Sequence, residues 1–322
     1  MKKIIYNLFA LGIGLMGLSI TSINDLLIKY LYKCLNISYE ELNVNIAFFS
    51  GLLIILIAVF LFIFISAKER TLSIIGLDSI KCVDKIKNAN VINIIKNIKN
   101  LNKKNSKAII KDYINDIEKH INNYFSYGVS YFGVAPLPFI ALAGVNYRKI
   151  GIISHYEYYQ KNDKIKSLNY IPGFLCQRLK KQEEINNNDT AIVTIETTAR
   201  INENDLKQFN SIDIYKFYLK NPKTNAIFSE YQLEGYSEKI ADEIYKISKT
   251  NVRKIYILAA AQSSLIFEIF RKLNQNRIKE IVVCNYSINS IPKYNWGIII
   301  SGKNLNNYVE MGCRNETNEQ KN

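Results

Sequence analysis

The chain has 322 residues, with 42 Lys and Arg against 28 Asp and Glu and a formal net charge of +14. Its length provides for one large domain or two fused small ones behind a leading apolar region. The basic excess points to a nucleic-acid partner, an anionic membrane surface or a small anionic ligand, and with no nucleic-acid motif in the sequence the last two are favoured. Only two histidines occur, and the five cysteines include no C-x-x-C pair. That argues against structural zinc and a disulfide framework, and it leaves little material for His-based or metal-dependent catalysis.

Two near-continuous apolar runs, Ile4–Ile23 and Val44–Ser66, occupy the first 66 residues. Each is about 20 residues, the length of a membrane-crossing helix. Lys2 and Lys3 before the first run also fit a signal peptide, but no small-x-small cleavage site follows. The loop between the runs holds Lys29 and Lys33 against Asp25, Glu40 and Glu41, whereas Lys68 and Arg70 follow the second run. A two-span membrane hairpin with both termini cytoplasmic is therefore expected. Gly12-Ile13-Gly14-Leu15-Met16-Gly17 matches G-x-G-x-x-G, but it lies inside an apolar run rather than after a strand. Ala10 and Gly14 at small-xxx-small spacing suit close helix approach, and simple tolerance is the competing reading.

Lysines are densest in Lys81–Lys111. They suit a solvated cytoplasmic face better than specific lipid recognition. Val91, Ile94, Ile95, Ile98 and Leu101, then Ile109, Ile110, Tyr113, Ile114, Ile117 and Ile121, recur at helical spacing, with a polar break at 100–106. Residues 67–124 are thus expected to form a basic helical linker, and 125–322 a separate domain. His120 falls on the second of these helices.

From Gly128 short apolar runs alternate with helical segments. Strands are predicted at 128–134, 149–155, 156–159 with 164–170, 190–198, 212–219, 253–260, 279–286 and 294–301. A helix follows Pro136-Leu137-Pro138 and ends near Gly144, and another covers 263–274. Ser237 is expected to cap a helix carrying Ile240, Ala241, Ile244 and Ile247. Asn221–Asn225 marks a turn. Strands alternating with helices predict an α/β fold with a largely parallel sheet.

The segment 130–140 parallels 256–266 as a pattern of strand, turn and helix. Each is followed by a basic turn and an apolar strand, 150–154 and 281–284. Two such halves make a pseudo-twofold pair, or a chance likeness between two βαβ units. Ligands of open α/β sheets gather beyond the carboxyl ends of strands, and a helix N-terminus there attracts anions. The candidate ligand-binding residues are Ala135, Pro136, Leu137, Thr197, Thr198, Arg200, Ala261, Gln262, Ser263, Ser264 and Tyr286. Small side chains at Ala135 and Ala261 allow backbone approach. Ser263 and Ser264 offer hydroxyls, although serines there are as often plain helix caps. Thr197, Thr198 and Arg200 end a strand and either face the cleft or lie in solvent.

No G-x-S-x-G, H-E-x-x-H or Walker loop occurs. Glu196, inside a strand, reads as an ordinary strand residue rather than an acid or base. His155 closes an apolar strand and reads as structural. No catalytic residue, cofactor or metal is expected.

Residues 253–265, with Lys279–Tyr286 and Trp296–Ile299, resemble the closing segment of SAVED domains. Gly133–Pro138 with Gly151–His155 resembles their opening segment, so the likeness covers about 125–302. With the two apolar runs, the chain resembles two-transmembrane SAVED effectors of bacterial CBASS anti-phage defence. That resemblance implies two fused CARF-like Rossmann-type units. It also implies a cyclic oligonucleotide ligand, most often a trinucleotide, made by a CD-NTase-like nucleotidyltransferase. The further implied partners are a second copy through ligand-driven oligomerisation and the lipid bilayer of the bacterial inner membrane, whose disruption causes abortive infection. No DNA or RNA duplex is implied. Gln262 stands where many relatives carry proline. A sensor that cleaves its cyclic ligand and a tethered interaction protein without a ligand are the alternatives.

Overall fold

In a computed structural model of the chain, the described residues are 2–18, 44–68, 70–76, 86, 89–124, 129–148, 150–171, 176–209 and 212–311. Two compact units divide the chain, Met1–Glu69 and Arg70–Asn322.

The first unit pairs two helices, α1 (Lys2–Leu18) and α2 (Val44–Lys68). They approach closely through Gly12 and Gly51. A Cβ at Gly12 would lie 2.8 Å from the Gly51 carbonyl oxygen, and one at Gly51 equally near that of Gly12. The pair leaves large apolar side chains exposed, with Phe49 at 63% and Phe60 at 68%.

The membrane reading is corrected here. Among the described residues, no helix is long and apolar enough to cross a membrane. Helix α1 has 17 residues, which at ~1.5 Å per residue falls short of a hydrocarbon core of about 30 Å. The side chains of α2 are described only over 48–64. The two spans, the inner-membrane placement and the orientation inferred from flanking lysines are therefore set aside. The far end of the first apolar run and the 24–43 loop lie outside the described residues.

The second unit holds two sheets. The first contains β1 (Arg70–Ile75), β2 (Ala89–Asn93), β3 (Val129–Val134), β4 (Ile152–Tyr159) and β5 (Lys164–Ser167), ordered β2-β1-β3-β4-β5. The second contains β6 (Lys180–Glu184), β7 (Thr190–Glu196), β8 (Asp213–Tyr218), β9 (Lys254–Ala260), β10 (Glu280–Tyr286), β11 (Tyr294–Ser301) and β12 (Tyr308–Glu310), ordered β12-β11-β10-β9-β7-β8-β6. The helices are α3 (Ile95–Lys99), α4 (Ser106–Tyr124), α5 (Leu137–Asn146), α6 (Glu203–Leu206), α7 (Glu230–Ile247) and α8 (Ser263–Lys272).

Residues 67–124 are not a helical linker. Arg70–Ile75 pairs in parallel with both β2 and β3, and so sits inside the first sheet. Val91 and its neighbours, expected as helix, are partly strand. Helix α7 starts at Glu230 rather than near Ser237, whose hydroxyl instead donates to the Glu234 carbonyl at 3.0 Å. The strands expected at 149–155 and 156–159 merge into the single strand β4.

The strand orders reveal the duplication. β2-β1-β3-β4-β5 corresponds to β8-β7-β9-β10-β11, with four parallel strands and a fifth antiparallel in each. Each set reverses direction of growth beside its first strand, between β1 and β3 and between β7 and β9. Such switch points are where open α/β sheets bind ligands. Additional strands β6 and β12 close the two edges of the larger sheet, and the charged Lys180–Glu184 segment discourages further pairing there.

The equivalent helices α5 and α8 pack on each other between the halves. Tyr131 of β3 stacks on Phe267 of α8, with ring centroids 3.8 Å apart. Gly144 of α5 has no side chain because the Phe267 carbonyl oxygen fills that space. Gly144→Ala is expected to force these helices apart and lower stability by about 1–3 kcal/mol, as read by urea unfolding.

Candidate functional site

A cleft of about 290 Å³ opens where strands of both halves end. Gly133, Val134 and Ala135 come from the end of β3, and Ala261 and Gln262 from the end of β9. Glu157 and Tyr158 come from β4, Thr198 from beyond β7, and Thr224 and Asn225 from the turn after β8. Leu137, Gln160 and Ser263 complete the lining. Asn225 has a left-handed backbone, φ 55°, and its amide donates to the Tyr158 carbonyl at 3.3 Å, joining the two halves across the cleft.

Of the candidate residues, Ala135, Leu137, Thr198, Ala261, Gln262 and Ser263 converge on this cleft. Pro136 is the N-cap of α5, between two lining residues. Thr197 is fully buried behind the wall, its N–H donating to the Ala260 carbonyl at 3.0 Å. Arg200 turns away. It bonds Glu196 at 3.3 Å and the Leu219 carbonyl at 2.7 Å, and its guanidinium covers the Tyr218 ring. Tyr286 packs on Tyr294 at 5.4 Å and does not line the cleft.

The two helix tips differ from the expected anion sites. At the α5 tip, Pro136 and Pro138 have no N–H to offer, and the Phe139 N–H already bonds the Pro136 carbonyl at 3.0 Å. At the α8 tip, the Ser264 N–H donates to the Glu157 carboxylate at 3.1 Å. A carboxylate of the protein thus occupies the place a ligand phosphate was expected to take. Ser263 directs its hydroxyl to the Gly133 carbonyl, tying α8 to β3 rather than facing a ligand.

Behind the cleft lies a buried ion network. His155 donates from Nδ1 to Glu230 at 2.8 Å and from Nε2 to Glu268 at 3.0 Å. An imidazole that donates from both nitrogens is an imidazolium. Burial opposes that charge, but the two carboxylates outweigh it and raise the His155 pKa. Burial likewise opposes the charge of Glu268, yet His155 and Arg271 hold its pKa below the carboxylate range. Arg271 grips Glu268 through two bonds, of 2.7 and 3.1 Å, and reaches the Ile150 carbonyl at 2.7 Å. Glu157, two residues from His155 and on the same face of β4, has the opposite shift. Burial raises it to about 7, and the Ser264 N–H and the His155 charge offset this only in part.

A sequence profile for the SAVED domain, "SMODS-associated and fused to various effectors sensor domain", matches residues 105–300. The chain belongs to the SAVED family. Solved structures of similar fold include the Acinetobacter baumannii Cap4 SAVED/CARF-domain containing receptor with the cyclic trinucleotide 2′3′3′-cAAA. Its TM-score is 0.49 at 13% identity, over 80% of this chain and 58% of that one. The same receptor with 3′3′3′-cAAA matches at 0.48 and 13%, over 82% and 67%. The Moraxella osloensis Cap4 receptor matches at 0.46 and 13%, over 69% and 48%. This chain therefore spans about 58% of the first of these receptors. No curated protein matches it.

In this SAVED domain Gln262 has a structural task. Its amide oxygen accepts from the Ile227 N–H at 2.6 Å and its amide nitrogen donates to the Ile227 carbonyl at 2.9 Å, pinning the segment after β8 against the cleft. Gln262→Ala leaves both backbone groups buried and unpaired. About 2 kcal/mol of stability should be lost, measurable by thermal or urea unfolding. Glu157, Gln160, Thr224 and Asn225 escaped the sequence reading. Asn225 left one trace, a turn motif whose Asn tolerates the left-handed region.

Proposed function

We propose that this SAVED chain is a sensor, not an enzyme, that binds a cyclic oligonucleotide in the cleft at the carboxyl ends of β3 and β9. The observation that carries this reading is the position of the cleft, which the two duplicated switch points of a SAVED fold share. A cyclic ligand with repeating nucleotides meets similar strand ends from each half. Ala135, Leu137, Thr198, Ala261 and Gln262 form its walls, with small side chains where the backbone must come close. Apart from the Glu157 carboxylate, the cleft's described lining is apolar side chains, uncharged polar groups and backbone, so recognition rests on hydrogen bonding and shape more than on cationic pairing. Binding promotes self-association of the chain, and the helix pair of residues 2–68 is the output element. The setting is a CBASS-type anti-phage response fed by a CD-NTase-like nucleotidyltransferase.

The test is a binding screen of cyclic di-, tri- and tetranucleotides against the whole chain, read by thermal shift and by light scattering. A ligand at 100 times its Kd stabilises the native state by about 2.7 kcal/mol. Thr198→Glu, which sets a negative charge beside the ligand's phosphates, should remove that shift while leaving the melting temperature without ligand near the parent value. No shift with any cyclic nucleotide would refute the reading. Linear products after incubation would refute the non-enzymatic part of it.

A further inference from the structure

The carboxylate of Glu157 raises a question that the cleft's other residues sharpen. It is 5% exposed, lines the cleft, and accepts from the Ser264 N–H at 3.1 Å. Among the described residues, the cleft lining includes no lysine or arginine. In its ionised form this group would set a like charge against a ligand phosphate, with no lining lysine or arginine to offset it, at a cost that grows as water is excluded. What an ionised carboxylate takes is a hydrogen-bond donor, because it has only acceptor positions. One oxygen already serves Ser264, which fixes the orientation of the group and leaves acceptor capacity over.

A cyclic oligonucleotide offers two kinds of group, phosphodiesters and base edges. Adenine and cytosine present an exocyclic amino donor where uracil presents a carbonyl oxygen, and guanine carries its amino group at C2. Pairing a Glu or Asp acceptor with such an amino group is a recurrent mode of base reading. Gln160, Thr224 and Asn225 border the same cleft with amide and hydroxyl groups able to complete the edge. The phosphates are then left to the outer rim. We infer that Glu157 is a specificity-determining residue of the sensor cleft, accepting a hydrogen bond from the exocyclic amino group of a ligand base and rejecting uracil. This inference rests on the cleft being the cyclic-oligonucleotide site.

The experiment titrates the full chain and its Glu157→Gln and Glu157→Ala variants with cyclic trinucleotides of adenosine, inosine, cytidine, guanosine and uridine. The adenosine and inosine rings pair the same purine stacking surface with an amino or a carbonyl group at position 6. The parent chain should bind at least one amino-bearing ring ten-fold or more tighter than the uridine ring. If that ring is the adenosine one, inosine should lose a similar factor. Glu157→Ala should lose ten-fold or more for the preferred ring. Glu157→Gln, whose amide both donates and accepts, should narrow the preference to within about three-fold, with folding checked by the unliganded melting temperature. Binding by the parent chain that ignores base identity, or a preference that survives in both variants, would overturn the inference while leaving the sensor reading intact. Absence of binding to every cyclic nucleotide would instead overturn the sensor reading, and the inference with it.

Discussion

His155→Ala is expected to cost the second unit about 3–5 kcal/mol, the penalty for removing one member of a buried ion network. The imidazolium holds Glu230 and Glu268 at 2.8 and 3.0 Å, and the two carboxylates come from different helices, α7 and α8, while His155 belongs to β4. Its loss leaves negative charge buried at the junction of the two halves, with only Arg271 still paired to Glu268. The effect depends on pH in a defined direction. The raised His155 pKa contributes stability that is complete below its unfolded value and fades as pH rises through the folded one. The lowered Glu268 pKa contributes stability present above its unfolded value and fading only in strong acid. Between those limits the network is intact and the parent chain keeps its full benefit. In the alanine variant, acidification neutralises the stranded carboxylates, so the gap to the parent should narrow towards pH 4. Urea unfolding from pH 4 to 8 checks this. A constant gap across that range would mean that packing, not charge, accounts for His155. Adding Glu230→Gln to the alanine variant should recover part of the loss at neutral pH, since it removes one orphaned charge.

The duplicated architecture was legible because its core strands are apolar and β-branched: 190–196, 254–260 and 294–301 announce themselves. The repeat of strand, turn and helix around 130–140 and 256–266 was visible for the same reason, and the strand orders give it a geometric meaning. What sequence reasoning missed is instructive. Thr71 and Ser73 alternate with apolar neighbours in β1 and are fully buried, but beside a lysine-rich stretch the segment resembles a solvated linker. The start of α7 was hidden by Gly235, which sits on the exposed face where a missing side chain costs only propensity. The cleft's position was legible from strand ends and helix starts. Its chemistry was not, because the group that occupies the α8 tip comes from 107 residues earlier in the chain. Arg200 shows the reverse error. Sequence places it at a strand end beside the cleft, yet the carboxylate of Glu196 and the Leu219 carbonyl draw it to the other side.

Glu157→Gln is expected to make the unliganded protein more stable than the parent above neutral pH, an unusual direction for a buried polar substitution. Burial raises the Glu157 pKa to about 7 from an ordinary carboxylate value of 4.5. The folded state therefore binds a proton more tightly than the unfolded state, and stability from this group is complete below about pH 4.5 and lost as pH rises through 7. At about 1.4 kcal/mol per unit, the full change amounts to roughly 3 kcal/mol by pH 8 to 9. The groups that face Glu157 include His155 and Tyr159 on its own strand, Tyr131 of β3, and the amide and hydroxyl groups of Gln262 and Ser264 at the α8 tip. His155 stays charged over this range, so the titration between pH 5 and 8 belongs to Glu157. Plotting the stability difference between variant and parent against pH should give a curve near zero at pH 5 that climbs towards 3 kcal/mol at pH 8.5. A flat difference would show that the carboxylate is already ionised at pH 5, held by the α8 tip more firmly than burial opposes it. The same curve bears on recognition. A donor from a ligand base stabilises the ionised form, so binding at pH 6 should release a proton, detectable as a buffer-dependent heat, and Glu157→Gln should abolish that release.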